Sequence, residues 1–214
     1  MLRVRFRTMR ELLWIATAGL LVLLMMSAGE HTGANGADTP VSTISKLQSL
    51  DPLIRQAAFD TLVNDRKDAI AKVLTILKQE DIDKAFNGPL HRSIELLGHW
   101  RASEAVPALT GILLYIPNGF ITDEMIPREA YYVSAVALVH IGEPSIGAMV
   151  ERIRSSKSKS ERQLAAWVIR EIEGKEQAQY RLARLSQQDR IAAEQYQDAE
   201  LFVRTYVPKF EPPQ

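Results

Sequence analysis

The sequence predicts an all-α protein in which about four helical hairpins and a C-terminal helix follow an N-terminal export helix. Gly and Pro number only 11 and 10 among 214 residues, while helix-favouring Ala, Leu, Glu, Arg and Gln dominate the middle of the chain. Apolar residues there recur at intervals of three and four, as on one face of a helix. The hairpins recur about every 35 residues, a period typical of an α-solenoid, in which stacked hairpins bury one another's apolar faces.

The first 29 residues have the layout of an export signal. Four arginines precede an uncharged, largely apolar stretch over 12–29, and small residues follow it. As a helix this 18-residue stretch would be about 27 Å long, close to the roughly 30 Å hydrocarbon core of a bilayer. It therefore fits either a cleaved signal peptide or an uncleaved membrane anchor. Under the positive-inside rule the arginines stay in the cytoplasm and the rest of the chain is extracytoplasmic, either periplasmic or secreted.

Three further regions follow the export segment. Residues 30–46 are predicted to be a flexible linker, because they are rich in Gly, Ala, Ser and Thr and lack helical periodicity. The repeat domain is predicted over 47–205, and an extended tail over 206–214. Membrane contact is expected only through residues 1–29.

Charge and cysteine usage narrow the function classes. The whole chain has 26 basic and 26 acidic residues; without the four leading arginines and Glu11, 22 basic and 25 acidic residues remain, a net charge of −3. Nucleic-acid-binding proteins normally cluster Lys and Arg, so we expect no nucleic-acid partner. Because the chain has no cysteine, an oxidising compartment adds no disulfide, and the fold depends on packing alone.

The first hairpin begins at "SLDPLIRQAAFDTLVND". Asp51 is placed to cap a helix whose first residue is Pro52, since Asp accepts hydrogen bonds from free backbone N–H groups and Pro has none to satisfy. Ile54, Ala58 and Leu62 share one face of this helix, which we expect to be buried. The partner helix carries Ile70, Val73, Leu74 and Leu77 at helical spacing.

The second and third hairpins share a layout of helix, short break and helix. Their apolar segments cover 90–97 and 106–113, then 133–141 and 146–153. The break of the second hairpin falls at 101–103. In the third, Gly142 accepts the positive φ of a helix end and Pro144 starts the next helix, which predicts a turn between two antiparallel helices.

The fourth hairpin pairs apolar segments over 164–172 and 178–185 across Gly174, and a last amphipathic helix over 188–203 closes the stack. Trp100 and Trp167 are predicted core residues, because they keep helical spacing from other apolar residues. Aligning the first helices of the hairpins places Leu62, Leu97, Leu138 and Ile169 at equivalent positions, with spacings of 35, 41 and 31 residues.

Two segments resemble HEAT repeats, a family of armadillo-type α-solenoids. "LDPLIRQAAFDTL" is similar to the first helix of a HEAT repeat, and "HIGEPSIGAM" is similar to its turn and second helix. The resemblance, which extends to the HEAT-like repeats of bilin lyases, covers about residues 47–185. The chain departs from the pattern at Arg92 and Ser93, which stand where the family has paired alanines, and at Tyr131 and Tyr132. The resemblance implies an α-solenoid and, by analogy, a protein-binding role.

The same alignment predicts a polar ridge. It places Asn64, His99, His140 and Glu171 at equivalent positions, two residues after each aligned apolar residue. Imidazole and carboxylate groups bind metals, so three of these residues could form a metal or ligand site. Neighbouring repeats are usually too far apart for one ion, and histidines near helix C-termini also favour the helix dipole and bond free carbonyls. We therefore expect no metal and no cofactor.

The connection "YIPNGFITDEMIPRE" over 115–129 is a second candidate site. Loops of this length in compact domains are often functional. Its apolar side chains would either contact a partner protein or fold back to cover the stack. They are Tyr115, Phe120, Ile121, Met125 and Ile126.

Together these features predict a non-catalytic, exported scaffold or adaptor that binds another protein in the cell envelope. The chain contains no Gly-x-Ser-x-Gly, P-loop, Gly-x-Gly-x-x-Gly or His-Glu-x-x-His motif. The alternative is a repeat-containing enzyme, or a lyase-type accessory protein, that uses the polar ridge for acid–base chemistry.

Overall fold

A computed structural model describes residues 40–63, 66, 69–119 and 127–208 of the chain. This part is all-α, as the sequence predicts: ten α-helices and no β-strand lie in the described ranges. The predicted export segment, and most of the predicted linker, lie outside them.

The helices follow one another with short connections. In chain order they are α1 (Pro40–Lys46), α2 (Pro52–Val63), α3 (Ile70–Ile76), α4 (Pro89–His99), α5 (Val106–Gly111), α6 (Val133–Ile141), α7 (Ile146–Ser155), α8 (Lys159–Glu173), α9 (Lys175–Gln188) and α10 (Ala193–Thr205). Single 3₁₀ turns lead into three of them: Ser103–Ala105 precedes α5, Arg128–Tyr131 precedes α6, and Glu143–Ser145 precedes α7.

The first helices of successive hairpins lie side by side. α2 contacts α4, α4 contacts α6, and α6 contacts α8. Among the second helices, α5 contacts α7. Each second helix also packs against the first helix of the next hairpin: α3 against α4, α5 against α6, and α7 against α8. One continuous hydrophobic core runs between these helices.

The N-terminal boundary of the folded part differs from the prediction. Residues 40–46 were expected to belong to a flexible linker, but they form α1, which packs against α2 and α3. Ile44 and Leu47 are buried in the core, and Thr43 is buried beside them. Pro40 starts this helix at a position where no backbone donor is needed. The burial of these three side chains thus outweighs a local composition that favours a loop.

The start of α2 is capped as predicted, and Ala58 and Leu62 of its predicted face are buried, but Ile54 is not. Asp51 Oδ1 accepts a hydrogen bond from the N–H of Leu53 at 2.8 Å. Ile54, expected in the core, is 42% exposed, whereas Arg55 is buried. Arg55 Nε donates to the carbonyl of Asn87 at 2.8 Å, and its Nη1 donates to that of Ser49. Because these bonds compensate the buried guanidinium, α2 turns Arg55 inward and Ile54 outward.

The turn after α6 has the predicted glycine, but the chain reverses direction less completely than predicted. Gly142 has φ +87°, a value that a residue with a Cβ rarely adopts. The chain then makes the Glu143–Ser145 turn, where Ser145 Oγ donates to the carbonyl of Leu138 at 2.9 Å. The helical direction changes by 120° across this break. The two helices therefore cross obliquely, and are not antiparallel as expected.

The first helix of each of the four hairpins buries the same aligned positions. The aligned residues Leu62, Leu97, Leu138 and Ile169 are all buried. So are the residues four positions earlier, Ala58, Ser93, Ser134 and Ala165. Two serines thus take the place of alanine in the closely packed interior, although their hydroxyls find no hydrogen-bond partner in the described structure.

The last two helices differ from the prediction in position. α9 continues to Gln188, and α10 begins at Ala193, five residues later than expected. Between them, Asp189 Oδ1 accepts hydrogen bonds from the N–H groups of Ile191 and Ala192. α10 packs against α9 and α8 and also reaches α7. The final helix therefore covers α7, α8 and α9 at the C-terminal end of the described part.

Both predicted core tryptophans are confirmed: Trp100 and Trp167 are buried.

Taken one at a time, the helices of the described ranges are too short or too polar to cross a bilayer. α6 and Glu143–Ser155 together meet the criteria of length and composition, with the 120° bend between them.

Candidate functional site

Two histidines from neighbouring helices meet on the surface. His99 is the last residue of α4, and His140 lies next to the last residue of α6. Both are exposed, and the centroids of their rings are 6.5 Å apart at an interplanar angle of 42°. Arg101, which follows His99 with φ +50°, is exposed and close enough to act electrostatically on His140. We call His99, Arg101 and His140 the histidine ridge.

A layer of aromatic and charged side chains supports the histidine ridge from α2 and α4. The ring of His99 packs edge-on against Phe59 with 5.9 Å between centroids. The guanidinium of Arg92 lies 4.9 Å from the centroid of the same Phe59 ring, which is a cation–π contact. Arg92 also bonds Glu95 at 2.7 Å and Gln56 at 2.5 Å. These contacts fix the position of His99 relative to α2.

The surroundings of His140 favour its neutral form. Removal of water by neighbouring protein lowers the pKa of His140, and His99 and Arg101 lower it further, while Glu95 opposes them. At neutral pH His140 therefore presents a neutral imidazole that both donates and accepts a hydrogen bond. Within the described ranges neither ridge histidine bonds a helix carbonyl, which was the other role expected of them.

Of the three polar-ridge residues that the structure describes, two lie close together and the third does not. His99 and His140 come together, whereas Asn64 lies outside the described residues. Glu171 accepts a hydrogen bond from Arg170 at 2.5 Å, and the charge of Glu129 raises the pKa of Glu171. Among the described residues, the equivalence in sequence thus brings His99 and His140 near each other but not Glu171.

Glu171 belongs instead to a cluster around Tyr206, at the end of α10. The hydroxyl of Tyr206 donates to Glu129 Oε2 at 2.7 Å, and the Arg170 guanidinium lies 4.8 Å from the centroid of the Tyr206 ring. Burial raises the pKa of Glu171, with Arg170 acting against the shift. Burial and the bond to Glu129 likewise raise the pKa of Tyr206. These four residues connect α8, α10 and the 3₁₀ turn before α6.

Metal binding finds no support in the geometry of the described ranges. No three His, Asp or Glu side chains in them come close enough to hold one ion. His99 and His140 supply two imidazoles only, and Glu171 is engaged by Arg170.

The 115–129 connection is described only at its ends. Tyr115 is half-buried against the core, and its hydroxyl donates to the carbonyl of Lys84 at 2.9 Å. Asn118 exchanges backbone hydrogen bonds with the segment after α3, at 2.8 Å to Lys84 and 2.7 Å to Phe86. The start of the connection thus folds back on the protein. The other proposed contact residues, Phe120, Ile121, Met125 and Ile126, lie outside the described residues.

The described ranges also contain a shallow cleft on α8 and α9. Its volume is about 150 Å³, and its lining includes Glu173, Tyr180 and Arg181. Small-molecule sites usually measure roughly 300–1,000 Å³. Arg181 is also already paired with Glu173 through Nε and Nη2, at 2.9 to 3.1 Å. The cleft is therefore a poor candidate for a ligand site.

Sequence reasoning missed Arg101 and Tyr206. Arg101 stood in a predicted break and carried no periodic signal, so its place beside His140 depends on the positive φ that turns the chain there. Tyr206 stood in the predicted tail, and its partner Glu129 is 77 residues away. No local pattern predicts a contact of that separation.

Comparison with known proteins found no significant match to the chain among protein-family models, curated proteins or solved structures.

Proposed function

We propose that the protein is an exported HEAT-like α-solenoid that acts as a non-catalytic adaptor and binds another protein of the cell envelope through the histidine ridge. Its HEAT-like character is supported by the equal burial of equivalent positions in α2, α4, α6 and α8. The successive contacts of α2 with α4, α4 with α6 and α6 with α8 support a stacked arrangement of the hairpins. Export is supported by the arginines and the apolar stretch at the N-terminus.

One observation carries the binding proposal: two exposed imidazoles from different helices lie with their ring centroids 6.5 Å apart at a junction between repeats. Packing between α4 and α6 fixes both positions, so a partner meets them in a set arrangement. Rigid side chains lose little conformational freedom on binding, which makes such positions favourable contact points. Arg101 adds a fixed positive charge, so we expect carboxylates or carbonyl groups on the matching surface of the partner.

The test is site-specific photo-crosslinking. A benzoylphenylalanine is placed at His99 or at His140 in the full chain, in cells of the source organism, and adducts are identified by mass spectrometry. The control position is Glu151 on α7, which is exposed and lies outside the ridge. We expect both ridge positions to give the same stoichiometric adduct and position 151 to give none.

Adduct formation should then fall when the ridge is altered without disturbing the fold. Arg101→Ala, read out with the crosslinker at position 140, should weaken capture of the partner while the circular dichroism spectrum stays the same. If positions 99 and 140 give no adduct, or give the same set of proteins as position 151, the ridge is not the binding surface.

The rival function, an acid–base enzyme, is favoured by the lowered pKa of His140. A neutral imidazole at neutral pH is able to accept a proton from a substrate. His140→Gln separates the two functions: it removes the base but keeps a hydrogen-bonding group. An adaptor would keep most of its partner capture, whereas an enzyme would lose a pH-dependent turnover.

A further inference from the structure

The start of α2 exposes several large apolar side chains together. Leu50 is 91% exposed, Leu53 78% and Ile54 42%, and Pro52 between them is exposed as well. We call Leu50, Pro52, Leu53 and Ile54 the apolar patch; the exposed Asp51, which caps α2, lies among them. Single exposed apolar residues are common on proteins, but a contiguous group usually marks a contact surface.

The other end of the described part has no such group. On α10 the exposed residues are mostly polar, apart from Leu201. Ile191 and Val207 are exposed too, but each stands singly, just before and just after this helix. Terminal repeats of stacked helical proteins need polar outer faces to stay soluble. The polar surface of α10 meets this requirement, and the apolar patch on α2 does not.

The size and shape of the patch favour a lipid surface over a second protein. Its side chains together expose on the order of a few hundred Å², whereas a stable protein interface needs roughly 800 Å² on each partner. The patch also protrudes, since Leu50 has almost its whole surface in solvent. A protruding apolar tip inserts into the interfacial region of a bilayer without needing a shaped groove.

We infer that the apolar patch rests in the outer leaflet of the membrane into which residues 12–29 insert. Ten residues, 30–39, separate that segment from α1, and they span at most about 36 Å. The tether therefore holds the patch within reach of the bilayer and raises its effective concentration there. The inference rests on the proposed export and on a retained export segment, and it is independent of the histidine ridge. It extends membrane contact beyond residues 1–29.

The test uses the absence of cysteine from the chain. Single substitutions Leu50→Cys and Leu53→Cys in the full chain are labelled with an environment-sensitive fluorophore and reconstituted into phosphatidylcholine vesicles. The controls match in exposure: Ile191→Cys is 90% exposed against 91% for Leu50, and Val207→Cys is 73% exposed against 78% for Leu53. Both controls lie at the α10 end.

We expect blue-shifted emission and quenching by a nitroxide-labelled lipid at positions 50 and 53, and neither effect at positions 191 and 207. Adding Ile54→Asp should reduce the quenching at position 53. Equal behaviour of all four positions would overturn the inference. So would a blue shift at 50 and 53 that persists in lipid-free detergent and is insensitive to the nitroxide lipid, because a protein surface would then cover the patch.

Flotation of the chain with the vesicles reports insertion of the export segment separately. Loss of flotation would count against the anchored form of the proposed function and, with it, against the lipid contact. Flotation without quenching would count against the patch alone. Crosslinking at the histidine ridge should be unchanged by Ile54→Asp.

Discussion

At the scale of single residues, buried polar groups decide how the helices meet. Trp100 Nε1 donates to the carbonyls of Leu62 and Val63, at 3.1 and 3.0 Å, and so satisfies groups at the C-terminal end of α2. Trp167 is equally buried, but its Nε1 has no partner within the described structure. Two tryptophans at similar depth therefore contribute differently to stability.

Trp100→Phe should cost more stability than Trp167→Phe. Both changes remove ring volume, but only the first also leaves carbonyl groups without a partner, which adds about 1 kcal/mol or more to the loss. Urea unfolding followed by circular dichroism measures the difference. Equal losses in the two variants would show that the bonds to Leu62 and Val63 contribute nothing net.

A buried histidine should make stability depend on pH. Burial lowers the pKa of His91, Arg92 lowers it further, and Glu95 acts against them. Its Nδ1 also accepts the N–H of Asn87 at 2.9 Å, a bond that protonation at that nitrogen would break. The folded protein thus holds His91 neutral, while the unfolded chain takes up a proton near the ordinary value of about 6.5.

The contribution of His91 is therefore present above about pH 6.5 and is lost as the pH falls toward the lowered folded pKa. His91→Gln cannot titrate, so its stability should fall less than that of the parent between pH 7 and pH 5. Urea midpoints at the two pH values provide the comparison. A parallel fall in both proteins would mean that other groups carry the acid sensitivity.

At the scale of elements, glycine sets how closely two helices approach. A Cβ added at Gly98 on α4 would lie 3.1 Å from Ala137 Cα and 3.2 Å from its Cβ on α6. Real Cβ atoms rarely come that close, so the absence of a side chain fixes the spacing beneath the histidine ridge. Gly147 on α7 has open space at the same position.

Gly98→Ala should destabilise the protein by roughly 1–3 kcal/mol, because it forces α4 and α6 apart. Gly147→Ala, also within a helix, should leave stability unchanged or raise it by up to about 1 kcal/mol. Thermal unfolding of the two variants tests this. Adding Ala137→Gly to Gly98→Ala should restore part of the lost stability. If Gly98→Ala costs no stability and Ala137→Gly restores none, the steric explanation is wrong.

At the scale of the whole molecule, α10 closes the core. Tyr196, Ala199 and Val203 from this helix are buried against α8 and α9, and α10 also reaches α7. Charged contacts add to the same junction: Arg154 bonds Asp189 at 2.8 Å, and Arg162 bonds Asp198 at 3.1 Å. The last helix is thus part of the folding unit and not an appended segment.

Tyr196→Ala should accordingly cost about 3 kcal/mol or more, the range for truncating a large buried side chain. Tyr180→Ala on α9 is the matched control, since Tyr180 is 66% exposed and its loss should change stability by no more than about 0.5 kcal/mol. Chemical unfolding curves with a shared slope report both values. A small effect at Tyr196 would mean that α10 is dispensable.

Periodicity and turn chemistry located most of the hairpin helices in advance. The cap at Asp51, the turns at Gly142 and Gly174, and the buried tryptophans are local features, set by backbone conformation and apolar spacing within about one helix. Two of the misplaced features depend on contacts distant in sequence. Arg55 turns inward because it reaches Asn87, 32 residues away. α1 forms because Ile44 and Leu47 find a core.

The sequence by itself determined that the described part is helical, where most of its helices break, and that His99 and His140 occupy equivalent positions. The tertiary structure alone decided that these two rings lie side by side, that Glu171 joins Arg170 instead, and that the start of α2 is left exposed. The reason is physical. Helix formation follows from spacing along the chain, whereas the distance between two side chains on different helices depends on how closely the helices pack. In this protein the small residues at Gly98 and Ala137 set that distance for α4 and α6.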